Sequence, residues 1–223
     1  MKLNLLDIPV YYISLEDQHE THIRMNNMLT ELGFKNIIKF AAQRHPNGKV
    51  AGCDDSHAQI FETNPETPFI ILEDDCFLNT NFVAEIDVPD DADAVYLGVS
   101  GWARYQNLSG RYLHAEQKGD NLYQVYNMLA THAILYINKE YVTNCKRIAR
   151  WSAQKNQYLD IGFAESHKFY KIYSFDNPLF YQESSKEITN KSITSYKTDK
   201  SLIYLSINNH MKILTEFSPL PLV

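Results

Sequence analysis

The sequence predicts an α/β fold with a mixed, mostly parallel central sheet flanked by helices. Three observations predict it. Val10-Tyr11-Tyr12-Ile13-Ser14-Leu15 is a nearly unbroken β-branched and aromatic run, suited to a strand covered on both faces. Met25, Met28, Leu29 and Leu32 then recur at i, i+3, i+4 and i+7, one stripe of a helix, and Gly33 supplies its stop. Phe69-Ile70-Ile71-Leu72 is a second continuous apolar run of central-strand type. Asn36-Ile37-Ile38-Lys39-Phe40 reads as a strand after the helix, so the order is strand–helix–strand, the opening of an α/β domain. At 223 residues one domain is expected. Its body spans 1–182, and 183–223 form a polar loop and helix packed on it.

The remaining elements follow in order. His45-Pro46-Asn47-Gly48-Lys49 is a turn-rich loop. A short helix is predicted over 56–62, capped by Asp54 or Asp55, and Asn64-Pro65 breaks it. Another short helix is predicted over 82–86, before an acidic loop at 87–93. Ala94-Val95-Tyr96-Leu97 reads as a strand ending at Gly98. The segment 100–121 is polar and carries Gly101, Gly110 and Gly119; a loop of that length points to function unless it contains a hairpin. Strands are predicted at 122–126 and 133–137. Val142, Cys145, Ile148, Ala149 and Ser152 form the small apolar face of a helix that Asn138 could cap. Weak strand signals at 171–174 and 179–181 flank Asn177-Pro178. A last helix at 201–214 would turn Ile203, Ile207, Met211 and Leu214 inward.

Composition excludes several classes. The formal charge is −6, from 27 acidic and 21 basic side chains, which argues against general nucleic-acid binding. Hydrophobic residues make up 44% of the chain and charged ones 22%, globular values that argue against wholesale disorder. No apolar run approaches the roughly 20 residues of a membrane span. No export-like stretch opens the chain, and Cys53, Cys76 and Cys145 form no Cys-x-x-Cys pair. The expectation is a cytoplasmic protein with reduced thiols.

Chemistry concentrates at Glu73-Asp74-Asp75, three carboxylates at the end of a buried strand. At ~4 Å spacing and an effective dielectric near 20, each like-charge contact costs about 4 kcal/mol. A divalent cation reverses that sign, and hard oxygen ligands suit Mg²⁺ or Mn²⁺ bound with substrate phosphates. Open α/β sheets bind ligands beyond the carboxyl ends of their strands. The alternative is a hydrated acidic loop.

Tyr12-Ile13-Ser14-Leu15, Gly52-Cys53-x-x-Ser56-His57 and Ile71-Leu72-Glu73-Asp74-Asp75 together resemble glycosyltransferase family 25. Tyr96-Leu97-Gly98, Thr131-His132-Ala133 and Leu159-Asp160 follow in the order of that family's later motifs. The resemblance spans about residues 9–182. It implies a single GT-A (Rossmann-like) domain, a nucleotide-sugar donor, a glycan or glycoprotein acceptor, and inverting hexosyl transfer. Thr21 stands near where the family has an arginine, and Arg24 remains.

On this reading Asp75 is the first metal ligand, and Glu73 or Asp74 holds the ribose or a metal-bound water. Asp160 is the general base, with Glu165 second; the plain alternative for Asp160 is a helix cap. Ile13, Ser14, Leu15 and Glu16 would edge the nucleotide-base cleft, although Ile13 and Leu15 equally suit a core. Arg24 would reach donor phosphates. Gly52, Ser56 and His57 lie at an expected helix start whose free N–H groups attract anions; the alternative for His57 is packing. His210 would swing in as a further metal ligand, or else face the core beside Ile207 and Met211. Trp102 and Tyr105 could stack on a sugar. The same acidic strand end also suits a nucleotidyltransferase or phosphohydrolase, or a catalytically degenerate binding module.

Overall fold

The computed structural model describes residues 1–105, 107–111 and 113–196. Strand β1 (Lys2–Asn4) and a 3-10 turn (Leu5–Asp7) lead into β2 (Val10–Leu15), α1 (His19–Leu32) and β3 (Ile37–Ala42). Gly33 closes α1 at φ 91°, a left-handed cap that a side chain would strain, with its N–H on the carbonyls of Leu29 and Thr30. Helix α2 (Lys49–Glu62) precedes β4 (Phe69–Glu73), β5 (Cys76–Leu78), β6 (Glu85–Asp87) and β7 (Ala94–Tyr96). The hairpin β8 (Ala103–Tyr105) and β9 (Leu108–Gly110) is followed by β10 (Ala115–Gln117), β11 (Leu122–Val125) and β12 (Ala133–Tyr136). Then come α3 (Lys139–Lys155), α4 (Leu159–Ser166), β13 (Ile172–Phe175), β14 (Phe180–Gln182), α5 (Lys186–Thr189) and α6 (Ile193–Tyr196).

One eight-stranded sheet, ordered β10-β11-β13-β7-β12-β4-β2-β3, organises the molecule. The α/β class and the mixed sheet with flanking helices are those expected. The balance of pairings is not. Only β2/β3, β2/β4 and β7/β13 are parallel, while β10/β11, β11/β13, β7/β12 and β4/β12 are antiparallel. The helical crossovers through α1 and α2 force the parallel half. Strand β12 instead enters from the irregular chain after β11 and runs against both neighbours, a direction no apolar pattern encodes.

Strand β4 shows why its residues read as central. Phe69 and Ile71 join one core layer with Phe61, Tyr136, Tyr141, Cys145, Ile148 and Phe163. Ile70 and Leu72 join the other with Met25, Leu29, Val95, Leu97 and Leu135. Successive side chains face opposite sides, so a strand covered on both must be apolar throughout. Helix α3 starts where expected: the Asn138 side chain accepts from the Glu140 N–H.

Other expectations are corrected. Helix α2 begins at Lys49, seven residues before the predicted start, because Gly48 caps it with no side-chain hydrogen bond and Gly52 interrupts the helical signal of its first turns. The predicted helix at 82–86 is absent; 85–87 form β6, paired with β1. The 100–121 segment contains the β8/β9 hairpin and β10. Residues 183–189 form a 3-10 turn and α5, and 193–196 form α6. The helix predicted at 201–214, with His210, lies outside the described residues. No helix among the described residues is long and apolar enough to cross a membrane.

Candidate functional site

Strand β4 ends at Glu73, and the chain turns through Asp74 and Asp75 into β5. Three ties hold this turn. The Arg24 guanidinium reaches over from α1, donates to the backbone carbonyls of Asp74 and Cys76, and lies 4.1 Å above the Phe77 ring. The Glu73 N–H donates to the His132 carbonyl at 2.9 Å, and the Cys76 thiol to the same oxygen at 2.6 Å. The Gln182 amide nitrogen lies 3.1 and 3.0 Å from the two Asp75 oxygens. Ser14 of β2 is buried beside the turn, its hydroxyl without a hydrogen-bond partner among the described residues. The turn thus sits beyond the carboxyl ends of the parallel strands β2 and β4, where α/β sheets bind ligands.

Glu73 is the hub. Its Oε1 accepts from the Thr131 hydroxyl at 2.6 Å and lies 3.3 Å from His57 Nε2 and 3.9 Å from Cys53 Sγ. Burial pushes the Glu73 carboxyl up, but the His57 and Thr131 hydrogen bonds outweigh it and the net shift is downward. Its neighbours go the other way. Burial, then the Glu73 charge, pushes Asp75 up to about 6 against the pull of Gln182. Burial and Glu73 push Asp160 up to about 6, opposed by the Ile161 N–H and Arg104. Asp54 is 1% exposed, and burial with the charges of Asp160 and Glu73 takes it up to about 7. Burial also raises Asp74. One fixed anion is therefore ringed by carboxyls that hold their protons close to neutrality.

Asp160 sits in the first turn of α4, and its Oδ1 is buried without a hydrogen-bond partner among the described residues. Asp54, on α2, accepts from the Leu159 N–H at 3.3 Å, and among the same residues its Oδ2 is likewise unpartnered. Asp54 therefore caps α4, not α2.

Several predicted site residues are placed elsewhere. Arg24 serves the backbone of the acidic turn, so the expected phosphate contact is corrected. Gly52, Ser56 and His57 lie inside α2, where their N–H groups are already paired, so no anion-binding helix start exists there. The Ser56 hydroxyl donates to the Gly52 carbonyl at 2.7 Å. Ile13 is core, Leu15 packs against the same layer, and Glu16 is exposed. Glu165 pairs with Arg104 at 3.5 Å and Lys168 at 3.7 Å, so it is no free base. Trp102 is 40% exposed, on the approach to β8. Sequence reasoning missed Gln182, read Asp54 only as a cap, and gave Cys53 no role. The i, i+4 spacing of Cys53 and His57 was the available signal; Gln182 carried none.

Asp75, Glu73, Asp74 and Asp160 carry the carboxylate oxygens that a hard divalent cation prefers, and Asp160 and Asp54 each keep a buried oxygen unpartnered among the described residues, but the three donors already gathered within 4.8 Å of one another are Cys53, His57 and Glu73.

No protein-family model matches the chain, and no curated protein matches it in sequence. Three solved structures match in outline. A nucleoside-diphosphate-sugar pyrophosphorylase from Vibrio cholerae RC9 is 14% identical, covering 76% of this chain and 73% of its own at TM-score 0.42. A CTP:phosphocholine cytidylyltransferase from Streptococcus pneumoniae is 6% identical, covering 89% and 99% at TM-score 0.37. A UTP-bound UGPase from Acinetobacter baumannii is 8% identical, covering 90% and 73% at TM-score 0.35. All three bear the names of nucleotidyl-transferring enzymes, and none that of the expected hexosyltransferase.

Proposed function

We propose that the chain is a divalent-cation-dependent nucleotidyltransferase that joins a nucleoside triphosphate to a small phosphate such as a sugar 1-phosphate, giving a nucleotide-sugar and pyrophosphate. The observation that carries this is the acidic end of β4, where His57 and Thr131 hold the Glu73 carboxyl low while burial and its charge raise Asp75 and Asp160 to about 6, with one Asp160 oxygen unpartnered among the described residues. Asp75, Glu73 and Asp74 would hold Mg²⁺ or Mn²⁺. Such an ion, when bound, neutralises charge on phosphate oxygens. The chain's own residues then position and orient. Gln182 aims Asp75, Thr131 and His57 aim Glu73, and Arg24 fixes the turn between them. Arg104 pairs with Glu165 and its charge acts on Asp160, so it keeps positive charge near the site. A phosphate nucleophile arrives ionised, so the reaction asks these side chains for placement and charge rather than for a base.

The test supplies each nucleoside triphosphate with hexose 1-phosphates and Mg²⁺ or Mn²⁺ and measures pyrophosphate. Pyrophosphate equal to nucleotide-sugar formed, lost in Asp75→Asn and Glu73→Gln, is expected. Nucleoside diphosphate release from a nucleotide-sugar, with no pyrophosphate from any triphosphate, would overturn the reading.

A further inference from the structure

Beside the oxygen ligands lies a softer set of donors that the proposed reaction does not use. Cys53 and His57 are one helical turn apart on α2, so i, i+4 spacing puts both side chains on one face. Glu73 approaches that face from the end of β4. The thiol sulfur, an imidazole nitrogen and a carboxylate oxygen all lie within 4.8 Å of one another. His57 is fully buried; among the described residues its Nδ1 has no partner and its side-chain hydrogen bond is the one between Nε2 and Glu73. The carboxylates of Glu73, Asp54, Asp75 and Asp160 all act on Cys53, a field that draws in cations. Thr131 holds Glu73 Oε1 from outside the trio, the kind of second tie that orients a ligating carboxylate.

We propose that Cys53 Sγ, His57 Nε2 and a Glu73 oxygen form a three-donor site for a thiophilic transition-metal ion of the Zn²⁺ class, separate in preference from the Mg²⁺-type site beside it. Sulfur and imidazole select against Mg²⁺ and Ca²⁺ and for Zn²⁺ or Co²⁺. Three protein donors leave the fourth tetrahedral position open to water or substrate. Binding expels the thiol proton to solvent and leaves a thiolate–metal bond, with no change in oxidation state. The site does not depend on the reaction proposed above, although both use Glu73.

The test uses the full chain, stripped of metal, with no nucleotide present. Titration with Co²⁺ is expected to give one equivalent bound, with a thiolate-to-cobalt charge-transfer band in the near ultraviolet. Equimolar Zn²⁺ abolishes the band and a large excess of Mg²⁺ leaves it. Cys53→Ser loses the band while Cys145→Ser keeps it, and His57→Ala weakens binding at least tenfold. X-ray absorption on the Zn²⁺-loaded wild-type chain needs no variant: one sulfur at about 2.3 Å with nitrogen and oxygen at about 2.0–2.1 Å is expected. Absence of the band, its survival in Cys53→Ser, or a zinc shell of nitrogen and oxygen alone would overturn the proposal. Pyrophosphate release by a chain that shows none of these signals would leave the nucleotidyl reading standing without this site.

Discussion

Asp54 shows how much one buried side chain governs. Its folded pKa of about 7 lies above the unfolded value of 3.8, so the folded state binds the extra proton. Its contribution to stability is complete below about pH 4 and is lost as pH rises through 7. Asp54→Asn keeps the oxygen that caps Leu159 and removes the charge. We expect the variant to melt higher than wild type at pH 8, with the gap closing towards pH 4. Three pKa units at ~1.4 kcal/mol each bound the gain at about 4 kcal/mol. A thermal melt across that pH range checks it; an equal or lower melting temperature at pH 8 contradicts the burial argument. The sequence showed Asp54 only as a polar residue before a presumed helix. Nothing local says that it meets Leu159, more than a hundred positions away.

The acidic turn owes its shape to α1 as much as to β4. Arg24 makes two carbonyl contacts and stacks on Phe77, which a lysine ammonium cannot reproduce from one point charge. Arg24→Ala and Arg24→Lys are both expected to weaken divalent-cation binding about tenfold or more, with a smaller change in melting temperature; calorimetric titration separates the two effects. Rescue of binding by lysine would argue for charge alone. At the end of β7, Gly98 lies under His132, and an added Cβ would overlap the imidazole. Gly98→Ala is expected to destabilise by about 1–3 kcal/mol, measurable by chemical denaturation. Strands β2 and β4, helix α3 and the stop at Gly33 were legible because each carries its own periodicity or cap. Helix α2 was half legible, since Gly48 and Gly52 at its start give no helix signal. The observed start moves Ser56 and His57 from an imagined helix end into the middle of a helix and erases their anion-binding role. Gly162 accommodates Ile148 between α3 and α4.

Two families of carboxylates pull the molecule's pH response in opposite directions. Asp17 with Arg44 and Glu62 with Arg150 are held low, so what they contribute appears as pH rises and is lost on acidification. Asp54, Asp75 and Asp160 are held high, so their cost grows as pH rises from 3.8 and is complete above pH 6–7. The metal-free protein is therefore expected to lose stability as pH rises from 5 to 7. Mn²⁺ at about 100 times its dissociation constant adds ~2.7 kcal/mol, and that gain is expected to be larger at pH 8 than at pH 5.5, because at low pH the ion must displace protons. Equal shifts in melting temperature at the two values would contradict a carboxylate site. The sequence revealed the class of fold and the acid cluster, but not which strands run antiparallel, since direction is set by where the chain enters the sheet. That order has a consequence for synthesis. Strand β7 finds its partners in β12 and β13, both made later, so a nascent chain halted before residue 172 carries one naked strand edge at the centre of its sheet. Ribosome-stalled fragments should therefore stay protease-sensitive and self-associate until that last inserted strand has emerged.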